Sequence, residues 1–426
     1  MRSRRTLLAG LGTLGAATLA GCSALPLGDD DSERADVSLP ADAVDPLSWP
    51  PSPFPVAVPE TLATAHEERA TELLAAVPDE PTVANGAISE DLRSQRARAA
   101  DRLDDPVEVP WPTERLSLWR SRREAAAAAR GAHRAATGDG DASAVADRRR
   151  TVRADLGSFV ADHEYRASSP LEAVLVHAPV EDLTAECRRR LRPVPAYPDD
   201  PVAAPFRAGE AVGTVERARA TLADARGLRD AYLRERDDPP SQWSAVIEAS
   251  DRLRFAVGRT YSTVDAVVDA DEPPVDADLD GTPARTLFEE TSRHVRATHD
   301  DFEDRRADGD AATAVVEAGR TLAAVESLRT AIDGIRDGAY RESVTVESVT
   351  RTAERARAAI AAVDDSDHRR LATRIARPAL ETFDFVPTRI EDGYTDAARV
   401  QGDLARVELY ARAVPAATAF VTERLD

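Results

Sequence analysis

From Pro59 to the end of the chain, apolar residues recur at steps of three and four, as in Leu222, Ala225, Leu228 and Tyr232. That spacing is the period of one buried helix face. Ala, Leu, Arg and Glu dominate the same stretch, and all four favour helix. Glu and Arg also recur three or four apart, as in Glu216 and Arg219, the spacing of pairs on an exposed face. Pro, Gly and Asp cluster at Pro78–Gly86, Pro106–Pro112, Gly138–Asp141, Pro193–Pro205, Asp237–Pro240, Asp271–Pro283, Asp364–Asp367 and Glu391–Gly393. Between these breaks the pattern predicts about ten to twelve helices, mostly of roughly 15–30 residues. Leu171–His177 (LEAVLVH) reads as a strand only when taken out of its helical surroundings. The expected fold class is all-α, a multi-helix bundle or an array of helical hairpins, with helical regions at 60–206 and 207–426.

A similarity within the chain suggests internal repeats. Ala208–Ala223 (AGEAVGTVERARATLA) and Asp308–Ala323 (DGDAATAVVEAGRTLA) lie one hundred residues apart, and the match continues at Leu228-Arg229 and Leu328-Arg329. The unit this predicts is a helix, a turn of Gly and an acid, then a second helix. Composition alone also makes Ala/Arg-rich helices look alike.

Before residue 60 the periodicity disappears. Residues 23–59 carry eight prolines and the acidic cluster Asp29-Asp30-Asp31-Ser32-Glu33. Such a density of Pro leaves no helical period, so 22–59 is expected to be a disordered, extended tether. Trp49 and Phe54 interrupt its polar pattern and mark the end of the tether as a segment that docks on the body.

The first residues have another pattern. Arg2, Arg4 and Arg5 precede an uncharged run from Thr6 to Ala20, which ends at Leu19-Ala20-Gly21-Cys22. Fifteen residues with three glycines are short for a membrane span, and small residues lead to a cleavage point between Gly21 and Cys22. The run Ser3-Arg4-Arg5-Thr6-Leu7-Leu8 resembles a twin-arginine (Tat) export signal, and the run ending at Cys22 resembles a lipoprotein box. The resemblance implies that residues 1–21 are a signal peptide read through Arg4 and Arg5. It also implies that Cys22 carries a lipid anchor and that the mature chain sits on the outer face of the cytoplasmic membrane. It covers this leader only.

Composition sharpens the setting. The chain has 426 residues, 76 acidic and 55 basic, and a net charge of -21. Every basic residue among the 55 is Arg, and there is one Asn, Asn85. Removal of residues 1–21 takes three Arg and no acid, which brings the charge to -24. Carboxylates in such excess repel nucleic acid and anionic membrane surfaces, so no nucleic-acid partner is expected. At molar salt the Debye length falls to about 3 Å and the self-repulsion is screened. The acidic, Lys-free composition is similar to that of haloarchaeal proteins. With two Cys, one of them lipidated, no intramolecular disulfide remains. Cys187 then reads as a small buried residue, or as a thiol activated by Arg188-Arg189-Arg190.

Motifs of chemistry are scarce. The sequence has no GxSxG, no phosphate loop, no HExxH and no paired CxxC. His299 and Glu303 share a helix face at i and i+4, a spacing that suits a divalent metal, with Asp300 and Asp304 nearby. A solvated face explains them as well. Asp276, Asp278 and Asp280 alternate before Gly281 like the start of an EF-hand loop, but Leu287 stands where the bidentate Glu belongs. No catalytic residue or cofactor is expected. The leading expectation is a non-enzymatic, lipid-anchored surface protein that meets an envelope or protein partner. The alternatives are a solute-binding lipoprotein of a transporter and a metal-dependent enzyme built inside a helical bundle.

Overall fold

The computed structural model describes residues 37–270, 274–393 and 396–425. Among them are twelve helices of 16 to 31 residues, one four-residue helix, and no strand. In order they are α1 (Glu60–Ala75), α2 (Gly86–Asp104), α3 (Pro112–Ala136), α4 (Ala142–Ala161), α5 (Pro170–Arg190) and α6 (Pro205–Glu235). There follow α7 (Trp243–Tyr261), α8 (Asp265–Val268), α9 (Pro283–Asp308), α10 (Ala311–Arg336), α11 (Val346–Asp364), α12 (Arg369–Glu391) and α13 (Ala397–Thr422). The protein is all-α, and Leu171–His177 lies inside α5.

Local chemistry sets the boundaries. Asn85, Asp141, Ser169 and Asp396 each accept from backbone N–H groups of the first turn that follows. Thr345 and Ser348 form a reciprocal capping box at α11. Pro112, Pro170, Pro205 and Pro283 occupy first positions, where the missing N–H removes no helical bond. Gly309 ends α9 in the left-handed conformation at φ 81°.

Two helices organise the body. In the first half α6 packs on α3, α4 and α5, and α1 and α2 cover α3. In the second half α10 packs on α7, α9 and α13, while α11 and α12 complete the bundle against α13. The contact of α5 with α10 joins the halves, and one apolar core runs through both.

Two expectations need correction. Gly209-Glu210 is not a turn: it lies inside the continuous helix α6, whereas Gly309-Asp310 separates α9 from α10. Gly209 lies where α6 crosses α3 so closely that a Cβ there would fall 2.9 Å from Ala132 Cβ, so the glycine serves a close helix crossing and not a turn. The second correction concerns the expected disordered tether 22–59. Residues 22–36 lie outside the described residues, but 37–58 form an ordered strap along the body. Its Val44, Phe54 and Val56 are buried, and Trp49 meets Trp111 edge to face at 5.1 Å. Trp111 Nε1 donates to Pro50 O (2.8 Å) in the first half, while Thr350 Oγ1 donates to Ala43 O (3.2 Å) in the second. Apolar residues spaced between the prolines give the segment something to bury, so it binds as a mostly extended chain with one 3-10 turn at Ala41–Ala43.

Candidate functional site

Charged side chains are buried in several places, and most form closed sets. Asp224 on α6 accepts from Arg120 Nη1 (2.5 Å) and from His66 Nε2 (2.8 Å). Arg123 Nη1 donates to His66 Nδ1 (3.1 Å), and Arg123 also donates through Nε and Nη2 to Glu216 Oε1 (3.0 and 2.6 Å). Each carboxylate in this set is matched by guanidinium or imidazole donors, which suits packing and not metal binding. Glu181 on α5 is likewise committed. It accepts from Tyr165 Oη and from the N–H groups of Ala312 and Thr313, so it caps α10. Burial pushes its carboxyl up to about 8 against the pull of those donors.

A more open arrangement lies where the halves meet. A half-open cavity of about 310 Å³ is lined by the strap, α3, α5, α6, α9 and α12. Its charged wall brings together Arg120, Arg189, Arg305, Arg374 and Arg377 with Glu114, Asp182 and Glu186. Asp182 accepts from Arg305 Nη2 (3.0 Å) and Arg374 Nη2 (3.1 Å), which holds a guanidinium pair from two helices of the second half. Glu114 Oε1 stands 3.3 Å from Arg377 Nη2, and Glu186 accepts from Arg217 Nε (2.8 Å). Burial brings Arg374 down to about 10, partly offset by Asp182, and raises Glu114 above the usual carboxylate range. Phe54, Trp111, Leu116, Leu183 and Leu228 supply an apolar wall. A cavity of this kind positions a small molecule by charge at one side and by apolar contact at the other.

The residues singled out from sequence lie elsewhere. Arg4, Arg5, Gly21 and Cys22 fall outside the described residues. His299 stacks on Tyr261 with ring centres 3.8 Å apart, and Glu303 pairs with Arg306 (3.7 Å). Asp276, Asp278 and Asp280 are exposed; Asp278 accepts from the N–H of Asp280, and Asp280 pairs with Arg285 (3.4 Å). Among the described residues no group of three or more His, Cys, Asp or Glu is placed to hold a metal ion. Cys187 is buried, donates to Ala218 O (3.3 Å), and is pushed up to about 12, chiefly by burial. Its neighbour Arg188 opposes that rise and does not reverse it.

The cavity residues were missed because each looks like an ordinary surface charge. A signal was present in two of them. Asp182 follows the largely apolar run Ala173–Val180, and Arg374 sits beside Ile375 on the buried stripe of α12. A charge on a buried stripe needs a partner from another element.

Residues 61–238 match a family model described as a domain of unknown function, DUF8262, and residues 243–423 match a second, DUF8264. The matched stretches abut at the loop between α6 and α7, and the cavity draws residues from both. No curated protein and no solved structure matches the chain.

Proposed function

We propose that the protein is a lipid-anchored, non-enzymatic binding protein whose ligand is a small molecule bearing an anionic group. The observation that carries this reading is the junction cavity, where five arginines meet three carboxylates in a chain of net charge -21. Concentrating guanidiniums against the sign of the whole chain is how a protein of this composition would hold an anion. Binding is favoured over catalysis because Glu114, Asp182 and Glu186 are each held by a guanidinium, which leaves none of them as a free base. Cys22 supplies the anchor, Arg4 and Arg5 the export signal, and the outer face of the cytoplasmic membrane the location. Of the two binding readings the sequence offered, solute binding thus gains support over a surface scaffold.

The purified mature chain tests the binding. Its thermal midpoint is measured against a panel of small carboxylates and inorganic phosphate. A rise with at least one of them is expected, and it should vanish in Arg377→Glu. An unchanged midpoint across the panel removes the reading. The location is tested separately, by fractionating cells that express Cys22→Ser. The variant should leave the membrane or keep its leader, and a fully processed, membrane-bound variant contradicts the anchor.

A further inference from the structure

The wall of the junction cavity is mixed in charge, and although its carboxylates are ion-paired, single atoms of both signs lack a hydrogen bond. Asp182 is 42% exposed at its side chain, while Glu114 and Glu186 are 20% and 19% exposed. Glu114 Oε1 accepts no hydrogen bond, and the Nε atoms of Arg374 and Arg120 donate none. A simple anion relieves the guanidiniums and adds repulsion at the carboxylates. A simple cation does the reverse. A ligand carrying both charges relieves both sets.

The spacing of the charges narrows the ligand further. The Glu114 and Arg377 heads come from facing helices and stand 3.3 Å apart. The two heads pair with each other, so a ligand that bears both charges close together can add an opposite charge beside each head without opposing the other. Beside them lies the apolar surface of Phe54, Trp111 and Leu116. The cavity of about 310 Å³ leaves room beside the charged heads for an apolar side chain against that surface.

We propose that the cavity binds a free α-amino acid with an apolar side chain. Arg374 and Arg377 take its carboxylate, Glu114 and Asp182 take its ammonium, and the side chain lies on Phe54 and Trp111. The proposal rests on the cavity being a ligand site and names the ligand's class. The burial that depresses Arg374 and raises Glu114 agrees with it, since a zwitterion stabilises the charged form of each. The strap belongs to the site, because Phe54 closes the apolar side.

Calorimetric titration of the purified mature chain with L-leucine, L-leucinamide and 4-methylpentanoate tests the assignment. Leucine should bind, and each analogue, lacking one charge, should bind at least tenfold more weakly. Glu114→Gln should erase the preference of leucine over 4-methylpentanoate while the helical circular dichroism stays native. Ser117→Phe, which fills the cavity from α3, should abolish binding of all three. If 4-methylpentanoate binds as tightly as leucine, the ligand is a simple anion; the binding reading stands and the amino-acid proposal falls. If none of the three binds, the amino-acid proposal also falls, and the anion panel alone decides the reading beneath it.

Discussion

Helices α6 and α10 hold corresponding places in the two halves, one hundred residues apart in register. Val215 and Val315, Ala218 and Ala318, and Leu228 and Leu328 are all buried. The helices they meet are different. Where α6 crosses α3, a Cβ on Gly213 would lie 2.9 Å from Glu124 O, and one on Gly209 would lie 2.9 Å from Ala132 Cβ. The two backbones therefore touch. Where α10 meets α9, Leu287, Phe288, Val295 and Phe302 are buried on α9. Close backbone approach leaves little space for large apolar side chains. The flanks of the α3–α6 crossing are accordingly filled by charged groups that must pair: Arg120 with Asp224 and Arg123 with Glu216. Similar apolar register in two helices thus specifies which faces are buried, while the placement of glycine decides how near the next helix comes and what holds it there.

The most severe way to break that contrast is Gly209→Leu. The new side chain would collide with backbone and not with a movable side chain, so α3 and α6 must separate and expose the paired charges between them. The expected loss is about 3 kcal/mol or more, at the upper end of overpacking effects, measured by urea unfolding. Gly334 on α10 provides the contrast. A Cβ there meets nothing closer than 3.6 Å, so Gly334→Ala should stabilise by up to about 1 kcal/mol. If both variants behave alike, glycine placement is not what separates the halves.

Comparable in size are Asp224→Ala in the first half and Phe302→Ala in the second. Each should cost about 3–5 kcal/mol, but for different reasons. The first strands Arg120 and His66 without their acceptor, whereas the second opens a cavity beside α10. Removing the stranded charge should therefore restore much of the first loss, so Arg120→Leu combined with Asp224→Leu should be more stable than Asp224→Ala alone. No second substitution of that kind rescues Phe302→Ala. A double variant no better than the single one would mean that the ion pairs are not what joins α3 to α6.

Much of this organisation is legible in the chain. Period and breakers give the helices, and Pro and Asn or Asp at their starts give most boundaries, because these depend on neighbours within one turn. The strap was half legible: Trp49 and Phe54 marked it, but the prolines around them obscured how much of it is held. Gly209 misled, since its turn-like sequence serves a close helix crossing, a contact that no local pattern contains. Apart from the hint at Asp182 and Arg374, the cavity was illegible for the same reason. Glu114 and Arg377 are 263 positions apart, and only the packing of α3 near α12 brings them to 3.3 Å.

A pH-dependent effect also separates the halves. His163 and His177 meet edge to face in the first half with ring centres 4.9 Å apart, and His294 on α9 meets Tyr410 edge to face. Burial lowers all three, to about 4, 3 and 3, and Arg229 near the pair and Arg406 and Arg320 near His294 add to the effect. An unfolded histidine binds its proton near pH 6.5, so between that value and the native one the unfolded chain holds more protons. Stability from these residues is therefore complete above about pH 6.5 and is lost progressively as pH falls toward the native values. Glu181 acts in the opposite sense, because its carboxyl is raised to about 8 and its contribution is lost as pH rises toward that value. Comparing native protein with variants isolates each histidine from that background. For His294→Gln, the native advantage should shrink by about 2 kcal/mol or less between pH 7 and pH 5. For His163→Gln with His177→Gln the shrinkage should be larger, since two rings that both resist protonation titrate against one another. An advantage that does not change with pH in either variant would mean that these rings are not held neutral by burial, and the acid sensitivity of the two halves would then have to come from their carboxylates.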